Sequence, residues 1–206
     1  IYGEPRLAFL VGSGNIDSMV NNYTASKRPR RTDEYSPGGK SGFRPDRALS
    51  VYVDMVKKSY PNTPVVIGGI EASLRRFAHY DYWSDIIMPS ILVDTQADML
   101  LYGMSETQIK TLAHGLAKGW PIHKIKDIPG TCYMSRSLPK GNKYTLISSF
   151  EEVSTEKIKF AEAFQIQSRE QNPFIGSTLV QKHGDLYLVQ LPPAKPLSQA
   201  EMDELY

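Results

Sequence analysis

The chain has 206 residues, with 24 Lys and Arg against 22 Asp and Glu and a formal charge of +2. Its apolar (41%), charged (22%) and aromatic (10%) fractions exclude collagen, coiled coil and wholesale disorder, and its length admits one full domain plus a smaller appendage. The charge is uneven, because residues 21–50 hold seven basic side chains (Lys27, Arg28, Arg30, Arg31, Lys40, Arg44, Arg47) and three acidic ones.

The one cysteine, Cys132, excludes an internal disulfide and fits a reducing compartment. It also excludes an iron–sulfur or zinc site built only from cysteines of this chain. No run of about 18 apolar residues occurs and no charged-then-apolar leader is present, so no membrane span is expected and a cytoplasmic location is. The sequence starts at Ile1 in the approach to a strand and stops at Tyr206 inside a helix, and so reads as a piece of a longer chain.

Taken in order, residues 6–11 (RLAFLV) form a short apolar run between Pro5 and Gly12-Ser13-Gly14-Asn15, which predicts a buried strand and a turn. Asn15, Asp17 and Ser18 then open a polar helix. Asp17 stands where the third glycine of GxGxxG would be, so a phosphate cradle and an ordinary strand-to-helix turn both remain open. Residues 24–45 are rich in Pro, Gly and basic side chains and keep no helical or strand period. A loop this long is a candidate lid or partner-contact arm. Its KRPRR run reads either as a solvated surface or as a nucleic-acid or phosphate patch, with only Tyr35 and Phe43 as nearby aromatics.

Pro45 and Asp46 predict a helix over 45–60, with Leu49, Tyr52, Val53, Val56 and Tyr60 inward and Lys57 and Lys58 at its C-terminal end. A strand over 64–67 follows at once. The stretch VVIGGIEASLRRFAHYDYWSD, residues 65–85, then breaks at Gly68-Gly69 and gathers Glu71, Ser73, Arg75, Arg76, His79, Tyr80, Asp81 and Asp85. A strand that ends in glycines lets the backbone approach a ligand or turn into a helix whose free N–H groups bind an anion. His79 beside aromatics is either a catalytic group or a hydrogen-bonded structural one. Arg75 and Arg76 could grip a carboxylate or phosphate, or bridge to Asp81 or Asp85.

An apolar run at 89–93 and a buried strand over 98–102 (DMLLY) come next. The strand ends at Gly103, and Ser105 caps a helix with Ile109, Leu112, Ala113 and Leu116 inward and Gly119 as its stop. Strands at 7–11, 64–68 and 98–102 separated by helices predict right-handed parallel units in a doubly wound α/β sheet. Their glycine turns, Gly12 to Gly14, Gly68 with Gly69, and Gly103 with Glu106, would line one crevice at the carboxyl ends of the strands.

Beyond Pro121 the spacing predicts an edge strand over 128–134, an apolar run at 146–150 and a helix over 154–171. A hairpin follows from 179–180 to 186–189 around Gly184. Pro192, Pro193 and Pro196 form a stiff linker, and Ser198 with Glu201 is a capping box opening a last helix. No HExxH, histidine pair or GxSxG is present, so neither a self-contained metal site nor a hydrolase elbow is expected.

Three segments carry a resemblance: GNIDSMVNNYTASKRPRRTDEYSPGGKSGFRPDRA, IGGIEASLRRFAHYDYWSD and DMLLYGMSE. They resemble the YgiQ family of radical S-adenosylmethionine proteins, and the likeness extends over essentially the whole chain. It implies a Rossmann-like, cobalamin-binding-domain-like α/β domain over 1–135, lacking its first strands. Residues 136–206 would then be a small α+β extension whose helix, hairpin and linker lead to a radical S-adenosylmethionine barrel. That barrel would hold a [4Fe-4S] cluster on CxxxCxxC and bind S-adenosylmethionine. Three thiolates are needed for such a cluster and this chain has one, so the chain is expected to be catalytically silent by itself. Gly68-Gly69 with Ser73 resembles a GGxxxS stretch that lies against cobalamin in relatives, and Gly103 to Glu106 resembles their GEGE turn. The histidine ligand of that motif has no counterpart, which counts against cobalamin. The expected role is that of an accessory domain, with the 65–85 stretch facing the barrel and a small-molecule or RNA substrate. The alternatives are a stand-alone nucleotide- or phosphate-binding module cradling its ligand at 12–18, and an RNA-contact domain using 27–40.

Overall fold

Val65, Val66 and Ile67 are all buried although successive strand residues face opposite sides, so both faces of the sheet here must be covered. The computed structural model, which describes residues 3–140 and 143–205, shows how. In chain order its first elements are β1 (Phe9–Gly12), α1 (Ser18–Asn22), α2 (Ala48–Ser59), β2 (Val65–Gly68), α3 (Gly69–Leu74), β3 (His79–Asp81), β4 (Ile86–Met88) and α4 (Ile91–Thr95). Then come β5 (Met99–Leu101), α5 (Glu106–Ala117), β6 (Thr131–Ser135), β7 (Tyr144–Ile147), α6 (Phe150–Thr155), α7 (Lys157–Arg169), β8 (Thr178–His183), β9 (Leu186–Gln190) and α8 (Gln199–Leu205).

Seven of these strands form one sheet in the order β1-β2-β5-β6-β9-β8-β7. β1, β2 and β5 run parallel, with Phe9 opposite Val65 and Val66 opposite Met99. β6 is antiparallel to β5 and to β9, β8 is antiparallel to β9, and β7 lies parallel to β8. Val65, Ile67, Leu100, Cys132, Leu179 and Leu188 face one core, which Leu49 and Val53 of α2, Leu92 of α4, Val153 of α6 and Ala163 of α7 close. Val66, Met99 and Leu101 face the other way, under Leu112 of α5 with Ile125 and Ile128. The fold is therefore α/β and Rossmann-like, with helices on both faces of its parallel half.

Several elements differ from the sequence expectation for physical reasons. The helix expected over 45–60 starts at Ala48, because Arg47 adopts a left-handed conformation (φ 50°) and Asp46 turns away to accept from Asn22 Nδ2 (2.8 Å) and Tyr23 Oη (2.7 Å). The strand expected at an edge, β6, lies inside the sheet, since the hairpin β8–β9 adds to its free side. Ser149 and Glu152 form a capping box that starts a helix at Phe150. Extended backbone at Glu156 then splits the expected 154–171 helix. On α5 the buried residues are Gln108, Leu112 and Gly115, the last against Ile125, while Ile109 is 37% exposed. The β8–β9 hairpin forms as expected, with His183 opposite Leu186. So does the last capping box, in which Ser198 N–H donates to Glu201 Oε2 at 2.7 Å. The readings placed on Ile1 and Tyr206 lie outside the described residues.

Candidate functional site

The strand β2 ends at two glycines, each for its own reason. A Cβ on Gly68 would stand 3.4 Å from the Leu101 carbonyl, and Gly69 has a φ of +83°, where a side chain strains the backbone. The chain then enters α3, and the side chains of the 65–85 stretch part company. Glu71 is fully buried, and its Oε2 accepts the N–H of Ser18 (2.9 Å) while Oε1 accepts that of Leu49 (3.2 Å). It thus ties together the starts of α1 and α2. Arg75 bridges Glu71 Oε1 (2.9 Å) and Asp17 Oδ2 (2.7 Å), with its side chain 13% exposed. Asp17 meanwhile caps α1 by accepting from Met19 and Val20 N–H, and Ser18 Oγ accepts from Ala48 N–H. Asp17, Ser18, Glu71 and Arg75 therefore converge, but on one another.

Arg76 points elsewhere. Its Nε donates to Gln190 Oε1 and its Nη1 to the Ser73 carbonyl, both at 2.5 Å, and its guanidinium lies over the Phe77 and Tyr102 rings. Ser73 returns its own hydroxyl to the Gly69 carbonyl at 2.8 Å. Past α3 the sequence reading missed a second sheet: β3 and β4 pair antiparallel, with His79 opposite Met88. The turn of this hairpin is closed by Asp81, which accepts from Ser84 N–H (2.9 Å) and pairs with Arg47 at 2.7 Å. Tyr80 donates to Asp85 Oδ1 at 2.6 Å.

The basic arm folds back onto the hairpin. Lys27 donates to the Trp83 carbonyl at 3.0 Å and lies over the Tyr82 and Trp83 rings, Tyr82 donates to the Ala25 carbonyl at 2.6 Å, and Tyr23 packs on Trp83. Between α1, the arm, residues 74–83 and α7 lies a cavity of about 720 Å³. Its wall includes Asp17, Arg75, Arg76, His79, Tyr80 and Asp81 from the sequence candidates and Arg30 of the basic arm, and also Trp83, Phe160 and Phe164, to which the sequence reading gave no role. Phe160 and Phe164 stand four apart on α7, an aromatic stripe visible in the sequence. The pairing of Arg47 with Asp81 spans 34 residues and leaves no local trace. Burial lowers the His79 pKa more than the Phe77 carbonyl at 3.1 Å and the Asp81 charge raise it, so the ring is neutral at pH 7.

The glycine crevice forms only in part. Gly12, Gly68, Gly69, Ser105 and Ile109 line a separate groove of about 210 Å³ at the carboxyl ends of β1, β2 and β5, on the α5 side. Gly14 instead packs against Arg44, whose Nη1 donates to the Ser13 carbonyl at 3.0 Å. Asn15 and Gly103 are exposed, and Glu106 keeps Oε2 buried without a partner among the described residues. In the turn after β1, the N–H groups of Ser18, Met19 and Val20 are taken by Glu71 and Asp17.

The donor set does not fit a thiolate-held cluster. Cys132 is fully buried in β6, burial pushes its thiol up to about 12, and no group of three His, Cys, Asp or Glu fit for a metal occurs among the described residues. Nor is any helix among them long and apolar enough to cross a membrane.

Rossmann-like topology with side chains gathered past the end of β2 defines an α/β domain. The chain belongs to the family described as Radical SAM N-terminal, whose model matches residues 1–206. It is 56% identical over 204 residues to a UPF0313 protein of Clostridium botulinum, 52% to one of Methanocella arvoryzae and 51% over 205 residues to one of Clostridium perfringens. These matches cover 99% of this chain and 32%, 34% and 31% of the relatives, so the chain spans about a third of their length. UPF0313 is the YgiQ family, so the resemblance carried by the three quoted segments holds. No solved structure matches.

Proposed function

We propose that this chain is the accessory, substrate-recognition domain of a radical S-adenosylmethionine enzyme, and that the cavity beside residues 74–83 opens toward the cluster-bearing remainder of the polypeptide. The observation that carries this reading is the cavity itself. At about 720 Å³ it falls in the size range of small-molecule sites, and the segment singled out from the sequence forms one wall of it. The family and the threefold greater length of the relatives support a partner within the same chain. Large apolar side chains left in water on α7 and just beyond it support contact there, since Ile158, Phe164, Phe174 and Ile175 are 64–80% exposed. In the whole protein the remainder supplies the [4Fe-4S] cluster and binds S-adenosylmethionine, while this domain binds and orients what is acted upon.

The test places a photoreactive benzoylphenylalanine at position 164 of the anaerobically reconstituted full-length protein. Cross-links from position 164 into the segment beyond residue 206 are expected. Cross-links confined to residues 1–206, or a reconstituted protein without an iron–sulfur spectrum, would defeat the proposal.

A further inference from the structure

The charges in the cavity wall do not balance. Asp17 is matched by Arg75, which also answers Glu71, and Asp81 is matched by Arg47. Arg30 and Arg76 belong to the same wall, and among the described residues neither has a carboxylate partner. Arg30 spends its Nε on the carbonyls of Val20 and Tyr23, and Arg76 spends Nε and Nη1 on Gln190 and the Ser73 carbonyl. These neutral acceptors hold each guanidinium in place without cancelling its charge. Arg30 is exposed, whereas Arg76 is partly withdrawn from water against Tyr102. A guanidinium shielded this way and left without an anion is costly, and a bound carboxylate or phosphate relieves that cost. Most of the rest of the wall is apolar or aromatic, with Met19, Leu74, Phe77, Trp83, Phe160 and Phe164 contributing flat or flexible faces.

From this imbalance we infer that the cavity takes a small organic anion with an aromatic body, its charged end drawn to the uncompensated arginines of the wall and its ring among the side chains of α7 and the β3–β4 hairpin. This deepens the recognition role proposed above and rests on it for the ligand's place in the reaction, but not for its binding. Asp81 is paired with Arg47, and the Asp17 and Glu71 carboxylates share Arg75 and accept four backbone N–H groups. Arg30, Arg47, Arg75 and Arg76 against Asp17, Glu71 and Asp81 thus leave one positive charge in excess for the anion. His79, neutral at pH 7, adds no charge of its own.

The experiment measures binding of a matched pair, indole-3-acetate and the uncharged indole-3-acetamide, to the reconstituted full-length protein by calorimetry, with inorganic phosphate as a competitor. Indole-3-acetate is expected to bind more tightly than the amide, and phosphate to compete only with the acid. In R30Q/R76Q the acid should weaken roughly tenfold or more, the order of a lost charged hydrogen bond. The amide should be unchanged there, which also shows that the cavity remains folded. Phe164→Ala should weaken both probes. Equal affinity for the two probes, binding of neither, or an acid affinity untouched in R30Q/R76Q overturns the inference. A carboxylate donated to these arginines from elsewhere in the polypeptide would produce the first or second of those results. Cofactor cleavage and the iron–sulfur spectrum, read on the same sample, fail separately if the recognition role is wrong while the anion site stands.

Discussion

The carboxylate of Glu71 accepts the backbone N–H of Ser18, 53 residues earlier, at 2.9 Å, so one side chain of α3 fixes where α1 begins. Through its other oxygen and Arg75 it also fixes α2 and Asp17. Glu71→Gln keeps the shape but brings an amide N–H against existing donors and leaves Arg75 half-paired. It is expected to cost about 3–5 kcal/mol, as for breaking a buried ion pair from one side. Chemical denaturation followed by circular dichroism measures it, and a loss below about 1 kcal/mol would show that water replaces the carboxylate.

Asp81 anchors the β3–β4 turn to Arg47. Burial raises its pKa, but the hydrogen bonds from Ser84 and the Arg47 charge outweigh that, and the net shift is downward. A carboxyl depressed in the fold stabilises it above the ordinary value of about 3.9 and loses that contribution as pH falls through the lower folded value. Trp83 fluorescence in a Trp120→Phe background should therefore change in acid below about pH 4. In Asp81→Asn it should already resemble the acid form at pH 7.

His183 stacks on Phe150 with ring centroids 5.5 Å apart, and neither ring nitrogen has a partner among the described residues. Burial lowers its pKa to about 4, against a partial rise from Glu151. The unfolded chain takes up a proton near pH 6.5 while the folded one resists it. Stability present above 6.5 thus drains away between 6.5 and about 4, by about 3 kcal/mol in all. His183→Phe is expected to remove that slope in a plot of unfolding free energy against pH and to leave stability at pH 7 equal or higher.

Lys27 pins the basic arm through the Trp83 carbonyl and two aromatic faces. Lys27→Met should loosen residues 28–31, since contacts of this kind contribute about 1 kcal/mol each. Limited trypsin digestion would then cut after Arg30 or Arg31 several times faster, at unchanged global stability. An unchanged cutting rate would mean that Tyr82 and Tyr23 hold the arm without it.

Gly69 sits at φ +83°, and Gly69→Ala is expected to cost about 1–2 kcal/mol. Gly68, in extended backbone, meets only the Leu101 carbonyl at 3.4 Å, and Gly68→Ala should cost less. Thermal unfolding of the two variants side by side tests the order.

What the sequence determined by itself is the part governed by neighbours along the chain. The apolar run at Val65–Gly68, the glycines that stop it, the capping box at Ser198 and the hairpin around Gly184 are local choices, and each appears where the pattern puts it, whereas the cap expected at Ser105 makes no side-chain hydrogen bond to its helix. The density of polar groups in residues 65–85 is likewise plain in the sequence. Tertiary structure decided what those groups do, because their partners are distant. Glu71 and Arg75 answer Asp17 and Ser18, Asp81 answers Arg47, and the cavity exists only because α7 and the basic arm close over residues 74–83. It also decided that β6 lies inside the sheet, since a strand's neighbours are set by which unpaired edges meet and not by its own residues. The two arginines left without a carboxylate could not be told from the paired ones in sequence, where Arg75 and Arg76 are adjacent and alike. Different directions of these adjacent side chains separate them, Arg75 between the carboxylates of Asp17 and Glu71 and Arg76 toward the end of β9.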